Sequence, residues 1–436
     1  MKRFNIPFSI ILLLIISIHT YAQKAEKFEV QGITVIMKPT VKDIINVNVY
    51  FKGGVTNYPE QKAGIENLAL SATTECGTAS YPTNVFKDKA DKYGIILSGS
   101  SSFDYGMISM NCIGKYFNEG WDLLSSAVKN PVFNEKDYGL LQQKVLADIK
   151  NSDSDPDNKL SKMGVENAFK GTPYATDPKG NLNAVNSISA KEARDYYFNT
   201  LLNKKRMLIV VVGKISKQDI IHKIQNAFQK IPTKTYTEYT YRIPEINSNT
   251  LFTEPRKLAT NYIMGIFNAP LFTSDDYAAN RLAIAAFSDN LFKEIRTKRN
   301  LSYAPYAFSQ QFEIPYSYMY VSTTDPKASA EVMVNEINRL KSEGFSQKEF
   351  DDIRNLFITM NYMKEESTDR MASSLGQSEL LGNWKMDEEF IRKIQKITPA
   401  DMTRVFKKYI HGINWNYLGD ESAADNAKAA FEKKVE

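Results

Sequence analysis

The histidines and cysteines limit the catalytic chemistry that this sequence could support. The 436 residues contain three histidines, His19, His222 and His411, and two cysteines, Cys76 and Cys112. A catalytic zinc ion needs about three protein ligands and one open position, and no two histidines lie within a few residues of each other. Two cysteines are too few for a cysteine zinc cluster or a disulfide framework. The sequence therefore predicts neither a catalytic residue nor a metal site.

Two other reactive patterns have simpler interpretations. Cys76 with a distant histidine could form a nucleophile–base pair, but a cysteine before a glycine at a helix end is more often a small packed residue. A Cys76–Cys112 disulfide stays open, because nothing in the sequence fixes their distance. Residues 153–157 look like the start of a calcium loop. However, Asn158 stands where that loop needs glycine and Gly164 where it needs glutamate, so we predict a solvated acidic loop.

The composition indicates a globular protein without a nucleic-acid partner. Hydrophobic residues make up 43% of the chain and charged residues 24%, which is the balance of a folded protein. Lysine and arginine number 55 against 50 acidic residues, a formal net charge of +5. This excess is too small to indicate a nucleic-acid-binding surface.

The N-terminal residues have the order of a secretory signal. Lys2 and Arg3 form a basic head, residues 10–18 are apolar, and Ala22 offers a small residue for cleavage. The apolar run is too short to anchor the chain in a bilayer, and no later stretch approaches the ~20 apolar residues of a membrane span. We expect residues 1–22 to be a signal peptide, and the mature chain to be a soluble periplasmic protein without an integral membrane anchor.

An internal repeat dominates the rest of the sequence. Three landmarks recur in one order at a nearly constant offset of about 210 residues. They pair residues 133–138 with 345–350, residues 187–192 with 396–401, and residues 207–212 with 415–418. The first two landmarks open helices, the second of them behind a serine or threonine cap, and the third is a strand ending at glycine. The chain thus consists of two copies of one unit.

The repeat and the order of elements predict the fold class. Strands and helices mix without alternating one for one, which favours an α+β unit with a mainly antiparallel sheet and helices on one face. We place the first unit at residues 23–235, a linker at 236–255 and the second unit at 256–436, with the units related by a pseudo-two-fold axis. Within the linker, residues 236–241 alternate in a way that favours an edge strand.

The layout resembles the insulinase/pitrilysin family of zinc metallopeptidases over essentially the whole mature chain. Residues 64–70, followed by Gly77 and Thr78, stand where active members carry an inverted zinc motif, His-x-x-Glu-His, before Gly-Thr. Arg296 and Tyr303 fit an Arg…Leu-x-Tyr pattern common in the family's non-catalytic half. The resemblance implies repeated α+β units that close around a peptide.

The departure from the family pattern decides the expected role. Residues 63–74 contain no histidine. Glu66 and Glu75 lie nearby, but at about 100° per residue they fall on opposite helix faces and cannot converge on one ion. Asp148 is the nearest carboxylate for the family's third ligand, and we expect it to be solvated. This chain is therefore expected to hold no zinc and no other cofactor.

The resemblance implies a non-catalytic subunit of a heterodimeric insulinase-type zinc peptidase. A zinc-binding insulinase-type partner would carry the metal, and an unfolded peptide would be the substrate. By the family pattern, Arg296 and Tyr303 would hold carbonyl oxygens of that peptide. From the residues alone, Arg296 could instead cap its helix and Tyr303 could be a core aromatic. The alternative function is a peptide-binding or scaffold protein of the cell envelope with no protease partner.

Overall fold

The structure, a computed structural model, describes residues 24–436. The expected signal peptide, residues 1–22, lies outside the described residues. In the part described, eleven strands form two sheets, and fifteen α-helices pack around them. This confirms the predicted α+β class and the two homologous units.

The two sheets share one topology. The first consists of β1 (Glu26–Val30), β2 (Ile33–Pro39), β3 (Ile44–Lys52), β4 (Ile96–Ser101), β5 (Tyr105–Ile113) and β6 (Met207–Gly213), in the order β1-β2-β6-β3-β5-β4. The second consists of β7 (Thr250–Pro255), β8 (Asn261–Asn268), β9 (Tyr306–Gln310), β10 (Tyr316–Thr323) and β11 (Asn414–Gly419), in the order β7-β11-β8-β10-β9. Only the β2–β6 and β7–β11 pairs are parallel. The second sheet thus repeats the first without β1.

The helices also divide between the two units. The first unit contains α1 (Ile65–Glu75), α2 (Thr83–Tyr93), α3 (Phe117–Lys129), α4 (Glu135–Ser154), α5 (Pro156–Ala168), α6 (Leu182–Ser187), α7 (Ala190–Tyr196) and α8 (Lys217–Phe228). The second contains α9 (Tyr277–Leu291), α10 (Pro326–Glu343), α11 (Gln347–Glu365), α12 (Thr368–Leu380), α13 (Lys385–Ile394), α14 (Pro399–Tyr409) and α15 (Glu421–Glu432). A π-helical segment, Phe292–Thr297, continues α9.

Side-chain caps start the helices of the repeated landmarks. Asn134 accepts a hydrogen bond from a backbone N–H of α4, and Ser346 does the same for α11. Ser189 and Thr398 form capping boxes at the starts of α7 and α14. Each cap satisfies N–H groups that the first helical turn leaves without partners, so equivalent helices begin at equivalent places in both units.

The joint between the units differs in detail from the prediction. Residues 229–249 contain no helix or strand, and β7 already starts at Thr250, within the predicted linker 236–255. The edge strand expected at residues 236–241 is not formed. Tyr236 instead lies under the Arg206 guanidinium, 4.2 Å from its carbon, and Tyr241 packs on Tyr174. These side-chain contacts hold the segment without a strand partner.

Each sheet is covered on one face by its own unit and on the other by a helix from the opposite unit. In the first sheet, Val47 and Ile209 pack against helices of the first unit. The reverse face, including Leu208 and Val210, packs against Met371 and neighbouring residues of α12.

In the second sheet, Met264 and Ile266 pack against Leu160 and Met163 of α5, which belongs to the first unit. Each unit thus covers one face of the other unit's sheet with one of its own helices, and we call these two, α5 and α12, the exchanged helices. This reciprocal packing is what a pseudo-two-fold relation requires. Burial of apolar side chains on both sides of both sheets therefore joins the units into one body.

Two helix glycines permit the exchanged helices to approach the sheets. A Cβ atom added at Gly376 of α12 would lie 2.3 Å from Cε2 of the buried Tyr50 ring. A Cβ atom added at Gly164 of α5 would lie 2.9 Å from Sδ of Met264. Such distances are shorter than real carbon contacts. Gly376 therefore requires glycine against the buried Tyr50 ring, whereas a Cβ at Gly164 would have to displace the end of the flexible Met264 side chain.

Charged side chains add to the same junction. Lys38 of β2 pairs with Glu365 at the end of α11, with 2.7 Å between nitrogen and oxygen. Lys42 pairs with Glu366 at 2.8 Å. In both pairs the first unit supplies the cation and the second unit the anion. Partly exposed pairs such as these contribute little energy, so the apolar contacts dominate the association of the units.

Gly376→Ala should destabilise the whole chain. Because the Tyr50 ring is buried and cannot move aside, overpacking should lower the free energy of unfolding by about 1–3 kcal/mol. Gly139→Ala in α4 is the matched control, because an added Cβ there meets no atom within 4 Å. That control should gain about 0.5–1 kcal/mol from the better helix former. Denaturant unfolding of both variants tests this, and equal stabilisation of the two would refute the tight α12 contact.

Candidate functional site

Helix α1 occupies the place of the zinc helix but presents apolar side chains. The positions that correspond to the family's ligands hold Asn67 or Leu68, Leu70 or Ser71, and Ser71 or Ala72. Leu68, Leu70 and Ala72 are fully buried in the core. Ser71 donates a hydrogen bond to the carbonyl oxygen of Gly99 in β4, at 3.2 Å. The helix therefore packs directly on the edge strand, with apolar or uncharged side chains where ligands would stand.

The acidic residues near α1 do not converge. Glu66 is fully buried, whereas Glu75 pairs with Lys87 on the surface at 2.8 Å and Asp148 is exposed on α4. Among residues 24–436, no group of three or more histidine, cysteine, aspartate or glutamate side chains could hold a metal ion.

Glu66 lies in a buried polar cluster that the sequence did not indicate. Its Oε2 accepts hydrogen bonds from the Tyr196 hydroxyl at 2.5 Å and from Asn57 Nδ2 at 3.0 Å. Its Oε1 has no hydrogen-bond partner in the described structure. Burial raises the pKa of this carboxyl to about 7, although the two hydrogen bonds and the charge of Arg206 act in the opposite direction. The carboxyl is thus protonated under mildly acidic conditions.

The two cysteines are buried and unbonded. Burial raises the pKa of each thiol, Cys76 and Cys112, to about 12. The thiolate is the nucleophilic form of cysteine, so at neutral pH these side chains are packing groups. The acidic segment at residues 153–157 also has structural partners, since Asp155 caps α5 and Asp153 pairs with Lys162.

Arg296 and Tyr303 lie in contact at the surface of the second unit. Arg296 is in the segment Phe292–Thr297, and its Nη1 donates a hydrogen bond to the Tyr303 carbonyl oxygen at 2.7 Å. The guanidinium carbon lies 4.0 Å from the centre of the Tyr303 ring. Stacking of this kind fixes the orientation of the guanidinium plane.

The surroundings of the pair fit neither a helix-capping role for Arg296 nor a core position for Tyr303. Tyr303 is 77% exposed, so it is not a core aromatic. The hydrogen bond that Arg296 makes goes to the loop rather than to the last carbonyls of its helix. Tyr303 also lies in a loop, ahead of the next strand. Pro305 has no N–H for a strand ladder, and β9 starts directly after it at Tyr306.

Strand β9 carries further aromatic side chains that the sequence analysis did not single out. Tyr306 and Phe308 are 38% and 48% exposed, on the same face of the strand. Together these two side chains form a surface that we name the aromatic edge, because β9 is the last strand of its sheet. The alternation of large and small residues from Tyr306 to Ser309 is the sequence signal that could have revealed it.

Two protein-family models match this chain. The model of the insulinase family, peptidase family M16, matches residues 34–178, and the model of the M16 inactive domain matches residues 187–357. Together the two ranges span more than half of the chain. The chain belongs to the M16 family. The resemblance seen in the sequence is thereby confirmed. The range matched by the inactive-domain model includes Arg296 and Tyr303.

Individual M16 relatives agree over most of the chain. A protein of Helicobacter pylori named non-peptidase homolog YmxG is 19% identical over 83% of this chain and 85% of its own length. The crystal structure of an M16 inactive domain from Pseudomonas fluorescens has a TM-score of 0.83, with 15% identity, and covers 91% of this chain and 98% of that one. The first half of the periplasmic protease PqqL of Escherichia coli has a TM-score of 0.76, with 16% identity and coverage of 94% and 95%.

No helix in the part of this M16 chain that the structure describes is long and apolar enough to cross a membrane.

Glu66 should make stability depend on pH. The pKa is about 7 in the folded state and 4.5 in the unfolded chain, so the folded state binds the proton more tightly. The stabilisation is complete below the unfolded pKa and is lost as pH rises through 7. Between pH 5 and pH 8 the free energy of unfolding should fall by roughly 1–3 kcal/mol from this group alone.

Glu66→Gln should remove that fall, because an amide does not titrate and can still accept the Tyr196 hydrogen bond. Glu75→Gln is the control, since Glu75 is a surface residue. Denaturant unfolding at both pH values measures the effect. Parallel pH profiles for the unmodified chain and Glu66→Gln would contradict the assignment.

Proposed function

We propose that this chain is the non-catalytic, peptide-binding subunit of a heterodimeric insulinase-type zinc peptidase. The partner would carry the zinc helix, and this chain would supply the opposite wall of the chamber. The observation that carries the proposal is the contrast between the two units. Helix α1 keeps its place and packing with leucine and alanine instead of ligands, while Arg296 and Tyr303 remain at the surface of the second unit.

The comparison with PqqL supports a partner. The complete PqqL chain matches 92% of this chain, but this chain covers only 47% of PqqL. PqqL therefore combines in one polypeptide about twice the length found here. An M16 unit pair with no metal ligands on α1 would need further M16 units to supply the chemistry, and PqqL shows that M16 proteins can contain more than is matched here.

The chemistry of the anchor supports peptide binding. A guanidinium group has five N–H donors in a plane, and one is used by the Tyr303 carbonyl. The remaining donors and the exposed Tyr303 side chain suit carbonyl oxygens of an extended backbone, which offers such acceptors whatever its sequence. An unfolded peptide is therefore the proposed substrate.

The periplasm is the proposed location. The signal-like residues 1–22 and the periplasmic protease PqqL as a structural neighbour both support it. Capture of the tagged chain from its own cells tests the partner, because co-purification of an M16 protein with His-x-x-Glu-His supports the heterodimer. Self-association or an unrelated envelope partner would support the scaffold alternative instead.

Purified chain should bind no stoichiometric zinc and cleave no peptide by itself, because α1 offers no imidazole or free carboxylate to a metal. Metal analysis after dialysis, together with a peptide digest, measures both properties. One tightly held zinc ion per chain, lost together with activity on chelation, would overturn the non-catalytic role.

Arg296→Ala should weaken peptide capture roughly 10- to 100-fold, since a hydrogen bond to a charged donor contributes about 1.5–3 kcal/mol. Tyr303→Phe should cost only a few-fold, and Arg296→Lys should recover part of the loss, because an ammonium lacks the planar fork. Arg299→Ala is the matched control, since Arg299 lies in the same region but pairs with Glu294. Peptide affinity and melting temperature are measured on the same samples. Unchanged affinity in well-folded Arg296→Ala would remove the anchor.

A further inference from the structure

A cleft of about 250 Å³ lies where the two units meet, between β9 and the end of α12. The first unit contributes Tyr105 from the start of β5. The second contributes Arg281, Phe308, Phe312 and Leu380. Clefts for drug-sized ligands usually exceed about 300 Å³, so this one suits roughly a single amino-acid residue.

Arg281 is a cation in this cleft without an anionic partner. Its Nη1 donates to the Tyr277 hydroxyl at 3.2 Å, and its guanidinium carbon lies 5.1 Å from the Phe357 ring centre and 5.3 Å from that of Phe390. Within residues 24–436, the side-chain partners of Arg281 are the Tyr277 hydroxyl and the rings of Tyr277, Phe357 and Phe390, and none of them is a carboxylate. The stacked rings hold the guanidinium in place and leave most of its donors for a ligand.

The other groups of the cleft suit an apolar residue of a peptide. Phe308, Phe312 and Leu380 supply apolar surface. Gln311 also lines the cleft, and its buried Oε1 has no hydrogen-bond partner in the described structure. A buried acceptor without a partner costs free energy unless a ligand or water donates to it, and a peptide N–H is such a donor.

One acidic group lines the same cleft and is already engaged. Asp104 Oδ1 accepts a hydrogen bond from the Tyr174 hydroxyl, and Oδ2 accepts one from the Glu313 backbone N–H at 3.0 Å. The Oδ1 bond lies within the first unit, and the Oδ2 bond joins the two units. Arg281 is therefore the charged group with free hydrogen-bonding capacity in the cleft.

The cleft continues the aromatic edge. Phe308 belongs to both, and the five residues of β9 separate the Tyr303 loop from Gln311. Arg281 and Arg296 lie 15 residues apart on α9 and its continuation, which is about 22 Å at a helical rise of about 1.5 Å per residue. An extended strand rises about 3.3 Å per residue, so an extended peptide of about six or seven residues spans that distance.

Building on the proposed function, we propose that this cleft binds the C-terminal residue of the peptide. Arg281 binds the terminal carboxylate, and Phe308, Phe312 and Leu380 surround an apolar last side chain. The chain would thus select peptides with a free, apolar C-terminus, while Arg296 and Tyr303 bind the backbone farther from the end.

Two fluorescent hexapeptides test this on the full mature chain. Both carry the dye at the N-terminus and end in leucine, one with a free carboxylate and one with a terminal amide. The free acid should bind roughly 10- to 100-fold tighter, as expected for loss of a charge-assisted hydrogen bond. Arg281→Gln should lower the affinity for the free-acid peptide to that for the amide peptide, and should leave the affinity for the amide peptide unchanged.

Arg354→Gln is the matched control, because Arg354 also stacks on a phenylalanine, Phe350, but does not line the cleft. It should leave the difference between acid and amide intact. The acid–amide comparison on the unmodified chain keeps the test decisive even if Arg281→Gln does not fold.

Equal affinity for acid and amide, both weakened by Arg296→Ala, would overturn the cleft proposal and leave the proposed function standing. Failure of both peptides to bind at all would overturn the two proposals together.

Discussion

The close packing of each exchanged helix on the opposite unit's sheet is the contact on which the rest of the structure depends. At Gly376 the backbone of α12 lies against the Tyr50 ring, and at Gly164 that of α5 lies against Met264. Without these helices, one face of each sheet would expose its apolar side chains to water, at a cost of about 25 cal/mol per Å². The two units are therefore halves of one folding body, and the junction fixes where β9, Arg281 and Arg296 stand.

This packing explains how an M16 chain can lack the zinc ligands and keep the fold. The zinc helix of the family contributes both ligands and core packing, and α1 retains only the second role through Leu68 and Leu70. Glu66 remains as a buried carboxyl bonded to Tyr196 and Asn57, which orders α1 without converging with other ligands. The binding groups that we propose, Arg296 and Arg281, both belong to the second unit.

The duplication, the fold class and the missing zinc ligands could be predicted from sequence, because each depends on local spacing and residue type. The helix exchange could not, since the periodicity of α12 reveals an apolar face but not the sheet that it covers. Sequence also placed Arg296 and Tyr303 together, and the structure brings them into contact at 4.0 Å between the guanidinium carbon and the ring centre. The cleft at Arg281 depends on residues from both units, so no single stretch of sequence indicated it.

The most direct test of the account is a titration of an M16 subunit that carries His-x-x-Glu-His, from the same organism, with this chain. The account predicts that peptidase activity rises with added chain and saturates at one chain per zinc subunit. With Gly376→Ala, more chain should be needed to reach saturation, because only the folded fraction of that variant can bind the zinc subunit. Full activity of the zinc subunit alone, unchanged by any amount of this chain, would contradict the role of non-catalytic partner.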